Sequence, residues 1–589
     1  MLLQRLRDHA ASLDLAPAMY LRTPIRWLLD LNSAGELLGQ LIRTEGSGGR
    51  NDRGKEFLAP HRERTVAVMP KLLADNAEYV LGIARDPAKQ ERVDRCHRAF
   101  VALVRDCAEQ TKHPAVRAVA FFYDGYRRGS IRLPEDFKPD QLMTFRVEGV
   151  LPIELEEVRR YWAEATGGRP EDTSDAAGIS ECLVCGERRR VLANIPFKIK
   201  RIPNGQTSGM ALVSTNARAF ESYALGAMSC APVCAGCGEH FSKAANALLE
   251  GERTHLSVGN LAYIFWARES TWSPASILAN PEPEEVRTLL AASFGGDRAA
   301  LRIEDGSFGE EFYATAFSAS GARVVVRDWL ETTVPRAKVN LARYFRLQQL
   351  VGEWGEVDAG FLPLQGYWTG EPKPHWRDGL AESVAPPRQG RRDVNKLPPG
   401  IPQALLRVAL HDGQLPESLL FQAVQRNRAE QGVTRPRAAL IKMVLLSHSV
   451  FPEDAMAELQ PNNTDAAYLC GRLLAVLEAL QRVAIPGTKA TITDRYFGTA
   501  SSAPASVFGR LLRGAQAHLA KLRKDAGGAY RAYQEKLEEI QKGLRCFPPL
   551  LRLQDQGKFC LGYYHQRAAD RAAARAAREA REQSQTTNA

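Results

Sequence analysis

Ser229 to Phe241 read SCAPVCAGCGEHF, and Glu181 to Glu187 read ECLVCGE. Both stretches contain Cys-x-x-Cys-Gly. Two thiolates three residues apart can reach one tetrahedral ion from a tight turn, and the following glycine accepts the backbone that the turn requires. Two such knuckles complete a four-cysteine set, and four thiolates favour zinc ahead of iron. Cys182, Cys185, Cys234 and Cys237 are therefore the expected ligands of a structural zinc, with four packed free thiols as the plainer alternative. Cys230 fits the spacing less well and stands as an alternative to a knuckle cysteine. A catalytic zinc would keep an open coordination position and usually involve histidine or a carboxylate.

Other chemistry-bearing patterns are absent from the sequence. The pairs Gly54-Lys55 and Gly557-Lys558 are followed by Glu56 and Phe559, so neither offers the hydroxyl a phosphate-binding loop places on magnesium. No Gly-x-Ser-x-Gly elbow and no His-Glu-x-x-His occurs, and the eleven histidines are scattered. Asp75, Asp94, Asp106 and Asp494 lie near basic residues without forming a metal-nuclease set. The residues favour binding over catalysis, and the protein is expected not to be an enzyme.

The two knuckles close a loop of about 48 residues whose middle has little core-forming pattern. Within it, Asn204-Gly205-Gln206-Thr207-Ser208-Gly209 is a short polar run with two glycines. Small residues permit close backbone approach, and Gln and Ser can meet base edges or phosphates. An ordinary turn explains the same residues.

The elements that must hold these groups divide along the chain. The 589 residues exceed one ordinary core, so two to four domains are expected. The first part reads as mixed α/β. TPIRWLLDLNSAGELLGQLIR suggests a hairpin around Asn32 to Gly35, and EFYATAFSASGARVVVRDWL suggests a second at Ser320-Gly321. Val93, Phe100, Leu103, Val104 and Cys107 follow helical spacing, with Cys96 and Cys107 as packing residues. Residues 370–400 are rich in Pro, Gly and Arg and read as a linker or exposed loop. Beyond them the pattern is helical. Leu469, Leu473, Val476, Leu477 and Leu480 share one face, Leu511, Leu512, Ala515, Leu519 and Leu522 another, and Tyr530, Tyr533, Leu537, Ile540 and Leu544 a third. His518 sits beside the second as a packed or rim histidine. Arg567, Arg571, Arg575 and Arg578 line one face of the last helix, as a solvated stripe with Asp/Glu pairs or as a phosphate-facing one.

The expected fold is thus α+β: a mixed N-terminal region, 1–369, carrying a four-cysteine, zinc-ribbon-like insertion at 181–241, then the linker 370–400, then an all-α C-terminal bundle, 401–589. The formal net charge of +10 favours an anionic partner such as nucleic acid. The charged N-terminus lacks the apolar run of a signal peptide, and no stretch approaches the ~18 apolar residues of a membrane span. A cytoplasmic location with no membrane partner is expected, which keeps the cysteines reduced.

Several stretches carry a resemblance: LADNAEYVLG (Leu73 to Gly82), ECLVCGE, GQTSGMALVSTNARAFESY (Gly205 to Tyr223), ARVVVRDWLE (Ala322 to Glu331), ATITDRYFGTASSAPASVFGRLL (Ala490 to Leu512) and GYYHQRA (Gly562 to Ala568). Over essentially its whole length the chain resembles the large subunit of the type I-C CRISPR surveillance complex. SASGARVVV departs from the Asn-containing turn expected of that family, and the zinc rests on spacing alone, since many relatives lack knuckle cysteines. The resemblance implies a non-catalytic DNA-binding subunit of an RNA-guided interference complex. It would recognise the protospacer-adjacent motif (PAM), help open target double-stranded DNA and recruit a separate helicase-nuclease. The implied partners are a guide-RNA-bearing complex, its repeated backbone subunit, its guide-end-binding subunit and a small subunit made by internal translation of the large-subunit gene. Met443 and Met456 are the internal starts available for that small subunit, which the C-terminal bundle resembles. With the match strong around DNAEYVLG and GQTSG, the nucleic-acid-binding candidates are Lys71, Asn76, Asn204, Gln206, Ser208, Asn216 and Arg218. Asn76 also has a plainer role open to it, capping the helix that starts beside it. The rival function is a zinc-ribbon nuclease or nucleic-acid modification enzyme.

Overall fold

The computed structural model describes residues 1–46, 52–64, 67–167, 176–192, 195, 197–215, 218–221, 225, 227–294, 309–368, 376–389, 391–411, 413–448 and 456–587. The chain is an α+β protein of two compact units. The first comprises Met1–Arg201, Gly205–Ala247 and Ser320–Val324, and the second Ile202–Asn204, Leu248–Ala319 and Val325–Ala589. Among the described residues no helix is long and apolar enough to cross a membrane.

The first unit runs α1 (Leu2–Ala10), β1 (Tyr20–Ile25), β2 (Trp27–Leu31), β3 (Ile42–Arg43), β4 (Lys55–Pro60), β5 (Ala74–Asn76), α2 (Ala77–Val80), α3 (Gln90–Thr111), α4 (Pro114–Gly125), β6 (Leu142–Val147), α5 (Glu156–Gly167), β7 (Ala176–Glu181), β8 (Arg188–Leu192) and α6 (Ala235–Glu250). Four strands make one sheet in the order β3-β2-β6-β5. The inner pair, β2 and β6, is parallel from Trp27 opposite Met143 to Leu31 opposite Val147. Inner strands covered on both faces are largely apolar, as Trp27, Leu28, Leu29 and Leu31 are here, with Asp30 paired to Arg146 of β6 at 2.7 Å. The turn after β2 forms where expected: the Asn32 Oδ1 accepts from the N–H groups of Ala34 and Glu36 at 3.1 and 2.8 Å. Helix α3 buries Val93, Cys96, Phe100, Val104 and Cys107 against this sheet's core, so both cysteines are packing residues.

The second unit runs β9 (His255–Val258), β10 (Leu261–Ala267), α7 (Ala275–Ala279), α8 (Pro283–Phe294), β11 (Glu311–Ser320), β12 (Arg323–Thr333), α9 (Val334–Gln348), α10 (Gly400–His411), α11 (Glu417–Glu430), α12 (Arg435–Ser447), α13 (Ala466–Ala484), α14 (Ile492–Ala500), α15 (Phe508–Asp525), α16 (Gly527–Lys542) and α17 (Leu553–Thr587). Its sheet is β12-β11-β10-β9, with the expected hairpin turning at Gly321.

Two expected boundaries differ from this arrangement. Residues 1–369 do not stay together, because β9–β12 and α9 share one continuous apolar core with the C-terminal helices. The described part of 370–400, residues 376–389 and 391–400, is not simply an exposed linker. Leu380, Ala381, Glu382, Ser383 and Val384 are buried, and Arg392 is held by Asp378 at 2.7 Å and Glu430 at 2.5 Å. Arg392, which reads as solvent-facing in the sequence, is neutralised inside the unit, while Arg377, Arg388 and Arg391 stay exposed.

The C-terminal stripes pack as their periodicity requires. Leu469, Leu473, Val476, Leu477 and Leu480 are all buried on α13. That helix meets α17 along a seam with polar contacts. Tyr468 hydroxyl lies 2.9 Å from His565 Nδ1, Arg472 donates to Gln566 at 2.9 Å, and Tyr563 donates to Glu478 at 2.6 Å. The helices approach at two glycines: a Cβ on Gly471 would fall on the carbonyl oxygen of Phe559, and one on Gly562 on that of Tyr468. Replacing Gly471 by alanine should gain about 1 kcal/mol of helix propensity and lose about 1–3 kcal/mol or more to forced separation of two backbones. The expected net result is a lower melting temperature for Gly471→Ala, and a melt at or above wild type would mean the helices are not in this register.

Candidate metal centre and nucleic-acid interface

The first knuckle is the tip of the β7–β8 hairpin. Cys182 follows β7, its N–H donates to Glu187 O at 3.0 Å, and the Gly186 N–H closes the turn on Cys182 O at 2.8 Å. Gly186 has φ +73, which its lack of a Cβ makes cheap. The second knuckle is the entry to α6, with Cys234 just before the helix and Cys237 in its first turn. The two are sewn together by backbone bonds, Leu183 N to Pro232 O at 2.9 Å and Leu192 N to Val233 O at 3.1 Å.

This brings the sulfurs of Cys182, Cys185, Cys234 and Cys237 within 4.8 Å of one another. A tetrahedral ion with metal–sulfur bonds of about 2.3 Å would hold sulfurs ~3.8 Å apart, so the set needs little adjustment to close on one cation. Burial pushes the Cys182 thiol up, but the N–H groups of Cys234, Cys185 and Val184 outweigh it and bring it down to about 7. Burial and then the neighbouring thiols push Cys237 up, and burial also raises Cys234. One thiolate, Cys182, is thus prepared, while Cys234 and Cys237 are held toward the thiol unless a cation offsets their burial. The donor set of four closely spaced sulfurs fits a metal ion. Cys230 is outside the group, with its Sγ on Leu225 O at 3.1 Å.

Helix α6 carries the metal's influence further. Asn246, three turns on, accepts from Lys200 N at 2.9 Å and donates to Lys198 O at 2.9 Å. The fixed segment pairs with the polar loop's end through reciprocal Ile199–Met210 bonds of 2.8 Å. Gly209, at φ +93, lies so close that a Cβ there would stand 2.7 Å from Lys198 Cβ. Gln206 and Ser208 are exposed on this loop, and Asn204, also exposed, has φ +58.

Lys198 also reaches toward the other candidates. Its Nζ lies 3.3 Å from Glu63, and Glu63 faces Lys71 electrostatically. Lys71 is half-buried and gives its N–H to Asp75 at 2.9 Å. Asp75 is fully buried and also takes Arg64 at 2.6 Å and Asn76 N at 2.8 Å. Arg64 lies 4.2 Å over the Tyr79 ring. Asn76 occupies the N-cap position of α2 but makes no side-chain cap bond, and its Oδ1 is buried without a hydrogen-bond partner. Asn216 lies outside the described residues, and of Arg218 only the backbone is described.

The outer half of the C-terminal arginine stripe, Arg575 and Arg578, takes the solvated, acid-paired form. Arg575 stands 3.6 Å from Glu356, Arg578 donates to Glu582 at 2.9 Å, and Arg571 packs 4.7 Å over the Trp354 ring. A second stripe lies outside the sequence expectations. On α15, Arg510, Arg513, Lys521 and Lys524 fall on one exposed face, spanning about 20 Å at 1.5 Å per residue. Among the described residues Arg510, Arg513 and Lys524 carry no ion pair. The signal is present in the sequence: FGRLLRGAQAHLAKLRKD has no acid before Asp525, but its apolar face dominates the pattern.

Compared with known proteins, the chain matches the family model CRISPR-associated protein (Cas_Csd1) over residues 2–570. No curated protein matches it.

The metal centre predicts about one equivalent of bound metal per purified chain. Cys234→Ser should release most of it and speed proteolysis between residues 198 and 210 more than elsewhere, since metal binding here is local folding energy. Metal well below one equivalent in wild type would remove the centre.

Proposed function

The chain belongs to the CRISPR-associated Cas_Csd1 family, and from that membership we propose that it is the large subunit of a type I-C surveillance complex. In this role it is a non-catalytic DNA-binding subunit that reads the PAM, helps open target duplex and recruits a separate helicase-nuclease. Its partners are the guide-RNA-bearing assembly with its repeated backbone and guide-end-binding subunits, and it acts in the cytoplasm where that assembly meets target DNA. The observation that carries the reading is the family match across residues 2–570.

The geometry supports a division of labour within the chain. Asn76, Gln206 and Ser208 are the base-edge candidates, and Lys71 and Arg218 the phosphate candidates. A buried, unpartnered Asn76 Oδ1 is an acceptor in want of a donor, and the Lys198 link places its motif and the polar loop in one connected network. The metal is zinc, the cation best suited to four sulfurs, and its role is to fix α6. On α15 the exposed cations offer a sequence-independent track for phosphates. Asp75, Asp94 and Asp494, the carboxylates a nuclease would need, are engaged by Arg64, by Arg128 and in the capping box of α14.

Titration of assembled complex on matched and mutated PAM duplexes tests the reading. Asn76→Ala and Gln206→Ala together should cost roughly 1–3 kcal/mol on the cognate PAM and narrow the gap to a mutated one. Arg510→Ala with Arg513→Ala should weaken all sequences alike and flatten the salt dependence. Unchanged PAM preference in the first pair means the bases are read elsewhere, and metal-dependent cleavage by the pure protein would favour the nuclease reading.

We also propose that residues from about Met456 onward serve as a small subunit in their own right. Met456 precedes α13, whereas Met443 is buried within α12. Mass spectrometry of the expressed complex should find a C-terminal fragment that recoding of both methionines removes. Absence of any fragment ends this part of the proposal.

A further inference from the structure

The second unit contains a polar cavity of about 270 Å³ that the proposed function does not use. Its lining includes Thr434 at the N-cap of α12, Arg437 in the first turn of that helix, Arg567 and Arg571 on α17, and the carboxylates of Glu353 and Glu430.

The charges do not cancel. Glu430 is already committed to Arg392 at 2.5 Å and to Arg437 at 2.7 Å. Glu353 accepts a long bond from Arg435 N at 3.4 Å and stands 3.9 Å from Arg571. Arg567 donates to the Tyr563 hydroxyl at 3.1 Å. Three guanidinium groups therefore face the cavity with little carboxylate left to balance them.

Unfilled hydrogen-bonding capacity points the same way. Arg437 is 1% exposed, and its Nε is buried without a partner, as are Thr434 Oγ1 and the Nε of neighbouring Arg435. Such orphans in a native interior call for an explanation, and an unseen ion is one of the ordinary ones. Burial pulls the Arg437 and Arg571 guanidinium groups down from their usual range, the direction an enclosed anion would reverse. The positive end of α12, a helix of thirteen residues, adds to the field.

We propose that this cavity binds a phosphate group, as inorganic phosphate or as the phosphate of a mononucleotide. Donors from two helices, α12 and α17, line it together. Arg437 and Thr434 line the cavity from α12 and Arg567 and Arg571 from α17, and arginine is the side chain best suited to grip a phosphate. At about 270 Å³ the cavity is smaller than the ~300–1,000 Å³ of drug-sized sites, in keeping with a small anion. The inference does not rest on the PAM reading, whose residues are all elsewhere.

Isothermal titration of the full-length protein tests it, with inorganic phosphate and AMP as separate probes at matched ionic strength. Saturable one-site binding is expected for at least one probe. Arg571→Gln and Thr434→Val should each weaken it about tenfold or more, the scale of one lost charge-assisted or buried hydrogen bond, and Arg513→Ala on α15 should leave it unchanged. Equal affinity for the two probes identifies the phosphate alone as the ligand, and tighter AMP identifies the mononucleotide. Thr434→Val keeps the side-chain volume and carries the test where Arg571→Gln fails to fold. No saturable binding of either probe at millimolar concentration, or binding that Thr434→Val leaves untouched, overturns the proposal.

Discussion

Four sulfurs held within 4.8 Å of one another cannot all carry charge unless a cation sits among them. That constraint organises the first unit. Without the cation, the β7–β8 tip and the start of α6 keep only a few backbone bonds and one N–H to sulfur contact, Cys234 N to Cys182 Sγ at 3.3 Å. With it, two distant stretches of chain become one corner. Everything α6 holds is then placed relative to that corner, including the Lys198–Lys200 segment and the polar loop that pairs with it.

The same helix makes a second buried commitment. Glu239 and Lys243, one turn apart and both nearly inaccessible, pair at 2.6 Å. Burying such a pair is expensive unless every remaining donor and acceptor is used. The ammonium is fully used: besides Glu239, Lys243 donates to the carbonyls of Ala16 and Pro17 at 2.9 Å each, and the same Glu239 oxygen accepts Met19 N at 2.7 Å. Trp162 then donates to Met19 O at 3.1 Å. The ion pair is better understood as the anchor of the 16–19 segment than as a source of net stability. The cysteine cluster, the ion pair and Asn246 thus give α6 three attachment points along its length.

Local periodicity made much of this legible. The hairpins at Asn32 and Gly321, the buried face of α3 and the stripe on α13 each follow from alternation or helical spacing within a few residues. The cysteine set was legible because knuckle spacing is a local signature of a non-local contact. What escaped were features decided by distant partners. Residues 380–385 carry no pattern that separates a buried turn from a loop, and Arg392 gives no hint that Asp378 and Glu430 await it. The grouping of β9–β12 with the helices depends on which apolar faces meet, which periodicity does not specify. Asn76 read equally well as a cap, and only the geometry shows that its side chain makes no cap bond.

Net charge was informative about class and misleading about place. Part of the chain's basicity is internal: Arg26 is answered by Asp52 at 2.9 Å, Arg437 by Glu430, and Arg472 by Glu539 at 2.8 Å. These side chains build the fold and contribute little outside it. The arginines of α17, the longest basic run, are likewise matched in part by acids on their own helix and by Glu353 and Glu356. Among the exposed cations, those on α15 stand out because their helix offers no acid until its end. A partner rich in phosphate responds to unbalanced charge at its own spacing, not to a sum over the sequence. On the α15 face and at the cavity between α12 and α17, positive charge is left over at short spacing, which is where such an excess can act on a ligand.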